Sequence, residues 1–225
     1  MPQNPTRTAR TRAEILDHAG RLFRLRGYTG TNIDDVMLAA GLTRGAFYAH
    51  FKSKDDLFTE AVIAGAGLRT RLRSAEPAAA LKAYLDKTEL AANAPGCVLA
   101  ALPSDVARAP LVARLAYANL LYATIGELAR SKKRRLDADA TVAAILAVGA
   151  VTLARASGDT RLSDWLLRCA WRAAVPLLKP RVSPKTKRSK SRRKAAGARR
   201  STRAARSRGG RAAGGPKARS SAARR

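Results

Sequence analysis

The chain has 225 residues, with 44 Lys or Arg against 16 Asp or Glu and a formal charge of +28 at neutral pH. That length allows one or two domains. The low aromatic content (5%) and the wealth of Ala and Leu favour helices over strands. Cys97 and Cys169 lie too far apart for a disulfide framework and lack zinc-site spacing, and two histidines without paired carboxylates or a phosphate loop speak against an enzyme. No catalytic residue, metal ligand or cofactor is expected.

The basic excess is uneven. Arg181–Arg225 carries 18 Lys or Arg and no acid, which leaves 26 basic and 16 acidic residues on Met1–Pro180. No apolar run reads as long enough to cross a bilayer, and no signal-like segment opens the chain. A cytoplasmic, nucleoid-associated protein without a membrane partner is the expectation.

Residues 1–10 are polar, contain Pro2 and Pro5, and read as a disordered basic arm. Arg7, Arg10 and Arg12 can follow DNA from there. The spacing then predicts a helix over Arg12–Arg26, with Ile15, Ala19, Leu22, Phe23 and Leu25 inward and His18 in a structural role. Gly27 ends it, and Tyr28 packs back onto a small core.

Thr31 to Phe51 reads as two short helices around a turn. Asn32 is an N-cap whose side chain accepts from the Asp35 amide, and Asp34 and Asp35 suit the positive end of the dipole. Ile33, Val36, Met37 and Ala40 form an apolar stripe, Gly41 ends the helix and Thr43 caps the next. That second helix turns Phe47 and Phe51 inward and shows solvent Arg44, Gly45, Tyr48 and His50, the layout of a helix-turn-helix.

The run GLTRGAFYAHFKSKDDLF, Gly41 to Phe58, resembles the recognition-helix region of the TetR family of transcriptional regulators, and TRAEILDHAGRLFRLRGYTGTNIDDV resembles that family's first helix and entry into the second. Met37 and Leu38 depart from the family's usual small and polar residues. The resemblance implies that Thr43 to His50 lies in the major groove. Arg44 would donate to guanine O6 and N7, and Gly45 would allow close approach. Tyr48, His50, Lys54, Thr31 and Asn32 would meet phosphates.

Further along, Ser53 caps a helix expected to run unbroken to about Arg73. Pro77 opens one to about Asn93, and Cys97–Val106 forms a short apolar helix or pair of turns. Pro110 opens another to about Ser131, with Leu111, Leu115, Ala118, Tyr122 and Ile125 inward. Asp137 caps the apolar Ala138–Ser157, and Ser163 caps a last helix to about Leu178, with Leu162 and Leu167 as its staple. Small residues Ala143, Ala147, Ala150 and Ala154 permit close helix approach, and Trp165, Leu166, Cys169 and Ala173 offer a second surface.

The expected architecture is all-α. Residues 1–10 form the arm, 11–53 a three-helix helix-turn-helix domain, 54–180 a helical effector-binding and dimerisation domain, and 181–225 a disordered Lys/Arg-rich tail. By resemblance the last two helices form a four-helix homodimer interface, and the second domain encloses a pocket for a small-molecule inducer. Tyr84, Cys97, Leu102, Tyr117 and Tyr122 are its candidate lining, with Cys97 a candidate electrophile sensor. The leading functional reading is a homodimeric repressor of a palindromic site on double-stranded DNA, released by its inducer. The other is a nucleoid-associated architectural protein acting mainly through the tail.

Overall fold

The computed structural model describes residues 5–65, 67–90, 96–130 and 136–178, and among them every regular element is a helix. In chain order these are α1 (Pro5–Arg26), α2 (Ile33–Ala39), α3 (Arg44–Phe47), α4 (Lys54–Ile63), α5 (Leu68–Ser74), α6 (Pro77–Tyr84), α7 (Val98–Ala101), α8 (Pro103–Arg108), α9 (Leu111–Leu128), α10 (Ala138–Ser157) and α11 (Thr160–Leu177), with one 3₁₀ turn at Lys87–Leu90. The basic tail and the ends of two expected helices (Leu90–Asn93, Arg130–Ser131) fall wholly or partly outside the described residues.

The N-terminal helices close on an aromatic knot. Ile15, Ala19 and Phe23 of α1 are buried with Val36, Met37, Phe47, Phe51, Leu57 and Phe58. Phe23 meets Phe58 edge-on at 5.0 Å, Tyr28 meets Phe58 at 5.1 Å, and Phe47 stacks near Phe51 at 5.8 Å. Such pairs add about 0.5–1.5 kcal/mol each beyond the area they bury. Met37, bulkier than the family pattern, fills this core rather than disturbing it.

Helix α1 starts earlier than the composition suggested. Residues 5–10 are helical, not an irregular arm. Pro5 suits a first helical position, Arg10 pairs with Glu14 at 3.0 Å, and no glycine interrupts the helix before Gly20. Nor is Arg12 part of an arm. Its guanidinium pairs with Glu60 and lies 4.6 Å over the Phe51 ring, which binds α1 to α4.

The unbroken helix expected from Ser53 to Arg73 is two helices. Gly67 stands at φ 120°, ψ −129°, a conformation essentially reserved for glycine. A Cβ there would lie 2.6 Å from both Cβ and Sγ of Cys97, and one on Gly65 would lie 2.8 Å from a methyl of Val98. The two glycines therefore let the chain between α4 and α5 pass directly against the start of α7. A helical pattern in the sequence does not register this, because the break answers to a neighbour about thirty residues away rather than to local propensity.

Two readings of the later helices also shift. On α9 the buried positions are Ala113, Ala116, Leu120, Thr124, Ile125 and Leu128, whereas Leu111, Leu115 and Tyr122 are exposed. The helix is apolar nearly all round, so its periodicity could not choose the inward face. Helix α11 begins at Thr160 because Asp159, not Ser163, is its N-cap, accepting from the amides of Arg161 at 2.8 Å and Leu162 at 2.9 Å. Ser163 is buried one turn inside, its hydroxyl 2.7 Å from the Asp159 carbonyl and 2.9 Å from that of Ala154.

By length and composition α10 is apolar enough to cross a membrane, which corrects the sequence expectation. Here it packs instead against α11, α9 and α7. Ala143, Ala147, Ala150 and Ala154 make their close approach inside the protomer, in one buried cluster with Leu167, Ala170 and Ala174 of α11. Gly67→Ala should therefore lower stability by about 2 kcal/mol or more, combining overpacking with a disfavoured backbone. Urea unfolding measures this, and Cys97→Ala in the same chain should recover only part, since the Cys97 Cα would still lie 2.9 Å from the new methyl.

Candidate nucleic-acid interface

Helix α2 is fixed by a reciprocal cap. The Asn32 side chain accepts from the Asp35 amide at 2.7 Å, and the Asp35 carboxylate accepts from the Asn32 amide at 3.4 Å. Thr31 is buried, and its hydroxyl donates to the Gly27 carbonyl at 3.0 Å. It therefore seats the α1–α2 corner and presents nothing to a phosphate, contrary to the sequence expectation. Gly41 takes φ 69°, and the Leu42 amide returns to the Met37 carbonyl at 2.8 Å, closing the turn between α2 and α3.

Helix α3 is a single turn, shorter than the expected Thr43–His50. The chain continues through 48–50 as a turn, with the His50 amide donating to the Phe47 carbonyl at 2.9 Å. Thr43 has N-cap backbone angles but its hydroxyl makes no cap bond, which leaves it available on an exposed residue. Arg44 and Gly45 are exposed, and a Cβ on Gly45 would meet only the Thr43 hydroxyl, at 4.0 Å. Tyr48 stands 61% exposed with its ring edge-on to Phe47, so packing does not consume it. His50 is half-buried with Nδ1 enclosed and unpartnered, so only its other ring nitrogen is in a position to reach a backbone oxygen.

Two cations on this face are already engaged. Arg44 Nη1 lies 2.7 Å from Asp34 Oδ2, an exposed ion pair joining α3 to α2. Pairs of this kind contribute about 0–1 kcal/mol, so a guanine edge can compete for the guanidinium. Lys54 places its ammonium 4.1 Å over the Tyr28 ring, whose hydroxyl donates to Asp55. That contact turns Lys54 toward α1 rather than outward. Lys52, which the sequence reading passed over, is exposed beside the recognition turn, its amide donating to Asp56 at 3.0 Å. Only its position directly after the aromatic string marks it out. Leu38 is 80% exposed at the open end of α2.

The effector candidates do not line a cavity together. Tyr84, Cys97 and Leu102 are buried in the core, and Tyr117 donates to the Leu99 carbonyl at 2.7 Å. Tyr122 faces solvent. Three clefts are lined by other residues: Lys82, Asp164 and Trp171 beside α11; Tyr28, Asp105 and Arg108 between α1 and α8; and Ile63, Arg69 and Leu115 beside α9.

Residues 15–61 match the family model described as bacterial regulatory proteins, tetR family. The HTH-type transcriptional regulator AcrR of Shigella flexneri is 54% identical over 50 residues, 22% of this chain and 23% of that protein. The HTH-type transcriptional repressor KstR2 of Mycolicibacterium smegmatis is 37% identical over 59 residues, 26% of this chain and 29% of that protein. A TetR-family regulator from Cytophaga hutchinsonii superposes with a TM-score of 0.61 at 20% identity, covering 77% of this chain and 98% of that one. Residues 15–61 therefore carry a DNA-binding region of the TetR-family type. The sequence matches span about a quarter of the length of the two curated relatives. Reduced NemR of E. coli, with a TM-score of 0.57 at 20% identity over 71% of this chain and 94% of its own, extends the likeness in fold to the C-terminal helices.

Burial, followed by the hydrogen bond to Asp55, pushes the Tyr28 hydroxyl up from 10.0 to about 12, and burial does the same to Tyr117. A raised folded-state value favours the neutral phenol, so this stabilisation is complete below pH 10 and is lost as pH rises from 10 toward 12. An ultraviolet titration of the folded chain should show Tyr28 and Tyr117 ionising late. Tyr28→Phe and Tyr117→Phe should each remove one of them.

Proposed function

We propose that the chain is a homodimeric, ligand-responsive repressor that binds a palindromic site on double-stranded DNA through α2, the Gly41 turn and α3. The carrying observation is the exposed cluster of Thr43, Arg44, Gly45 and Tyr48 on a turn whose other face, Phe47, is locked into the core. A polar and cationic surface on a rigid seat is what reading base edges requires. Arg44 supplies the bidentate donor for guanine, Asp34 holds it ready, and Asn32, Tyr48, His50 and Lys52 form the cationic and polar surround for phosphates, while Lys54 stays packed on Tyr28. Arg7 and Arg10, exposed on the first turns of α1, extend that surround. Function as a regulator leaves no role for a catalytic residue.

Selection of bound sequences from random duplex tests this reading. One palindromic motif with two half-sites is expected, and uniform binding would favour the architectural reading instead. Arg44→Ala should cost about 1–3 kcal/mol on the selected site and relax one base pair per half-site. Cutting the chain after Pro180 should keep the motif. It should also make the salt dependence shallower, because the 18 tail cations add counterion release without base identity.

Dimerisation is assigned to the outward face of α10 and the flank of α11. Val142, Ile145 (65% exposed) and Leu153 share one face of α10, and Leu162 and Trp165 are exposed on α11. A second copy covering this apolar area would complete a four-helix bundle. Ala170 is already buried within the protomer and does not report on the interface. Ile145→Glu does, since it is open in the protomer and would bury an unpaired carboxylate in the dimer. Sedimentation should show a folded monomer for this variant, and a dimer would refute the assigned face.

A further inference from the structure

The outward stripe of α9 does not lie bare on a flat surface. Val112, Leu115, Ala116 and Ala123, with Ile63 from the last turn of α4 and Arg69 from the first turn of α5, line a groove of about 560 Å³. Its apolar wall is open to solvent, with Ile63 61%, Val112 64% and Leu115 54% exposed. Val112 to Ala123 extends about 16 Å along the helix, at about 1.5 Å per residue. Volume and length suit an elongated small molecule.

The far end of the groove is cationic. Arg69 Nε lies 3.1 Å from Glu127 Oε1, one turn beyond Ala123, and Arg73 reaches the same oxygen at 3.7 Å. Two guanidinium groups thus share one carboxylate, which leaves a net positive charge. Glu127 takes only the Nε side of Arg69, so the two terminal amino groups make no bond to a described residue. That pair is the part of a guanidinium that receives a carboxylate bidentately.

We propose that this groove binds an anionic amphiphile, a carboxylate with an extended apolar body. Its head is held by the terminal nitrogens of Arg69 and its chain lies along Ile63, Val112 and Leu115. Such an occupant touches both sides of the glycine break, Ile63 on α4 and Arg69 on α5. It is therefore placed to bias the angle between the DNA-reading helices and the rest of the chain. The consequence for DNA rests on the regulatory reading above, but the binding itself does not.

Calorimetric titration of the full chain with decanoate below its micellar concentration tests the site without DNA. The basic tail attracts carboxylates equally in every variant, so the comparison is between variants. One decanoate per protomer is expected. Arg69→Gln and, separately, Val112→Glu should each weaken it at least tenfold, and uncharged decanol should bind at least tenfold more weakly than decanoate. Val112 is largely open, so its variant keeps the fold even where Arg69→Gln disturbs the contact with Glu127. Equal decanoate binding by all three proteins, or equal binding of decanoate and decanol, overturns the proposal. So does self-association that Val112→Glu abolishes while decanoate has no effect, which would make a second copy the occupant. If decanoate binds as expected and no DNA motif is selected, the regulatory reading fails alone; a motif without decanoate binding leaves that reading intact and removes the groove site.

Discussion

The structure turns on the close approach of the α4–α5 joint to the start of α7. Two glycines bring backbone within contact of Val98 and Cys97, where any side chain at position 67 would collide. Everything N-terminal to the joint closes on the knot of Phe23, Phe58, Phe47 and Phe51. After it, the small-residue seam between α10 and α11 is continuous with that knot in one buried cluster. Had residues 65 and 67 been alanine, propensity would favour one continuous helix. The segment at 97–98 would then have to move away, and the core would lose its packing at Cys97 and Val98.

Charge is handled differently in the two parts of the chain. In the described helices most of the structural cations have a partner: Arg12 with Glu60, Arg44 with Asp34, Arg69 and Arg73 with Glu127, Lys87 with Asp164. Arg24 is an exception. Burial lowers the pKa of its guanidinium, Asp17 offsets this only in part, and its Nε meets no acceptor. The tail has no acid at all. Its 18 cations therefore have no acid within the tail to pair with.

Local chemistry was legible wherever one residue decides the outcome. Asn32, Ser53 and Asp137 cap the helices they were expected to cap, and Gly41 turns the chain with positive φ. The aromatic positions Phe23, Phe47 and Phe51 fell on the buried face. What escaped were outcomes set by a distant partner or by competition between near-equals. Asp159 displaced Ser163 as a cap because a carboxylate one turn earlier satisfies two amides at once. The inward face of α9 could not be chosen because both stripes are apolar: Ile125 is buried as expected, whereas Leu111, Leu115 and Tyr122 are left open, Leu115 beside Ile63. At the interface, exposure sorted residues that composition treated alike: Thr31 is consumed by Gly27, whereas Thr43 is open.

The brevity of α3 links these points. A four-residue helix has no stability of its own, since nucleation costs more than one turn returns. Its position is therefore dictated by what holds Phe47 and Phe51, namely α1 through Arg12 and α4 through Glu60 and the Phe58 cluster. Helix α4 is ten residues, capped firmly by Ser53 beside the recognition turn and free of helical continuity at its other end, where Gly65 and Gly67 replace it. A rotation of α4 about the glycine end would carry Arg44 and Tyr48 with it, because no contact within α3 could resist the displacement. Ile63, which borders the groove, and the exposed residues around α3 thus lie at the two ends of α4 and the core packed on it. Coupling between them needs no pathway beyond that helix and the core packed on it.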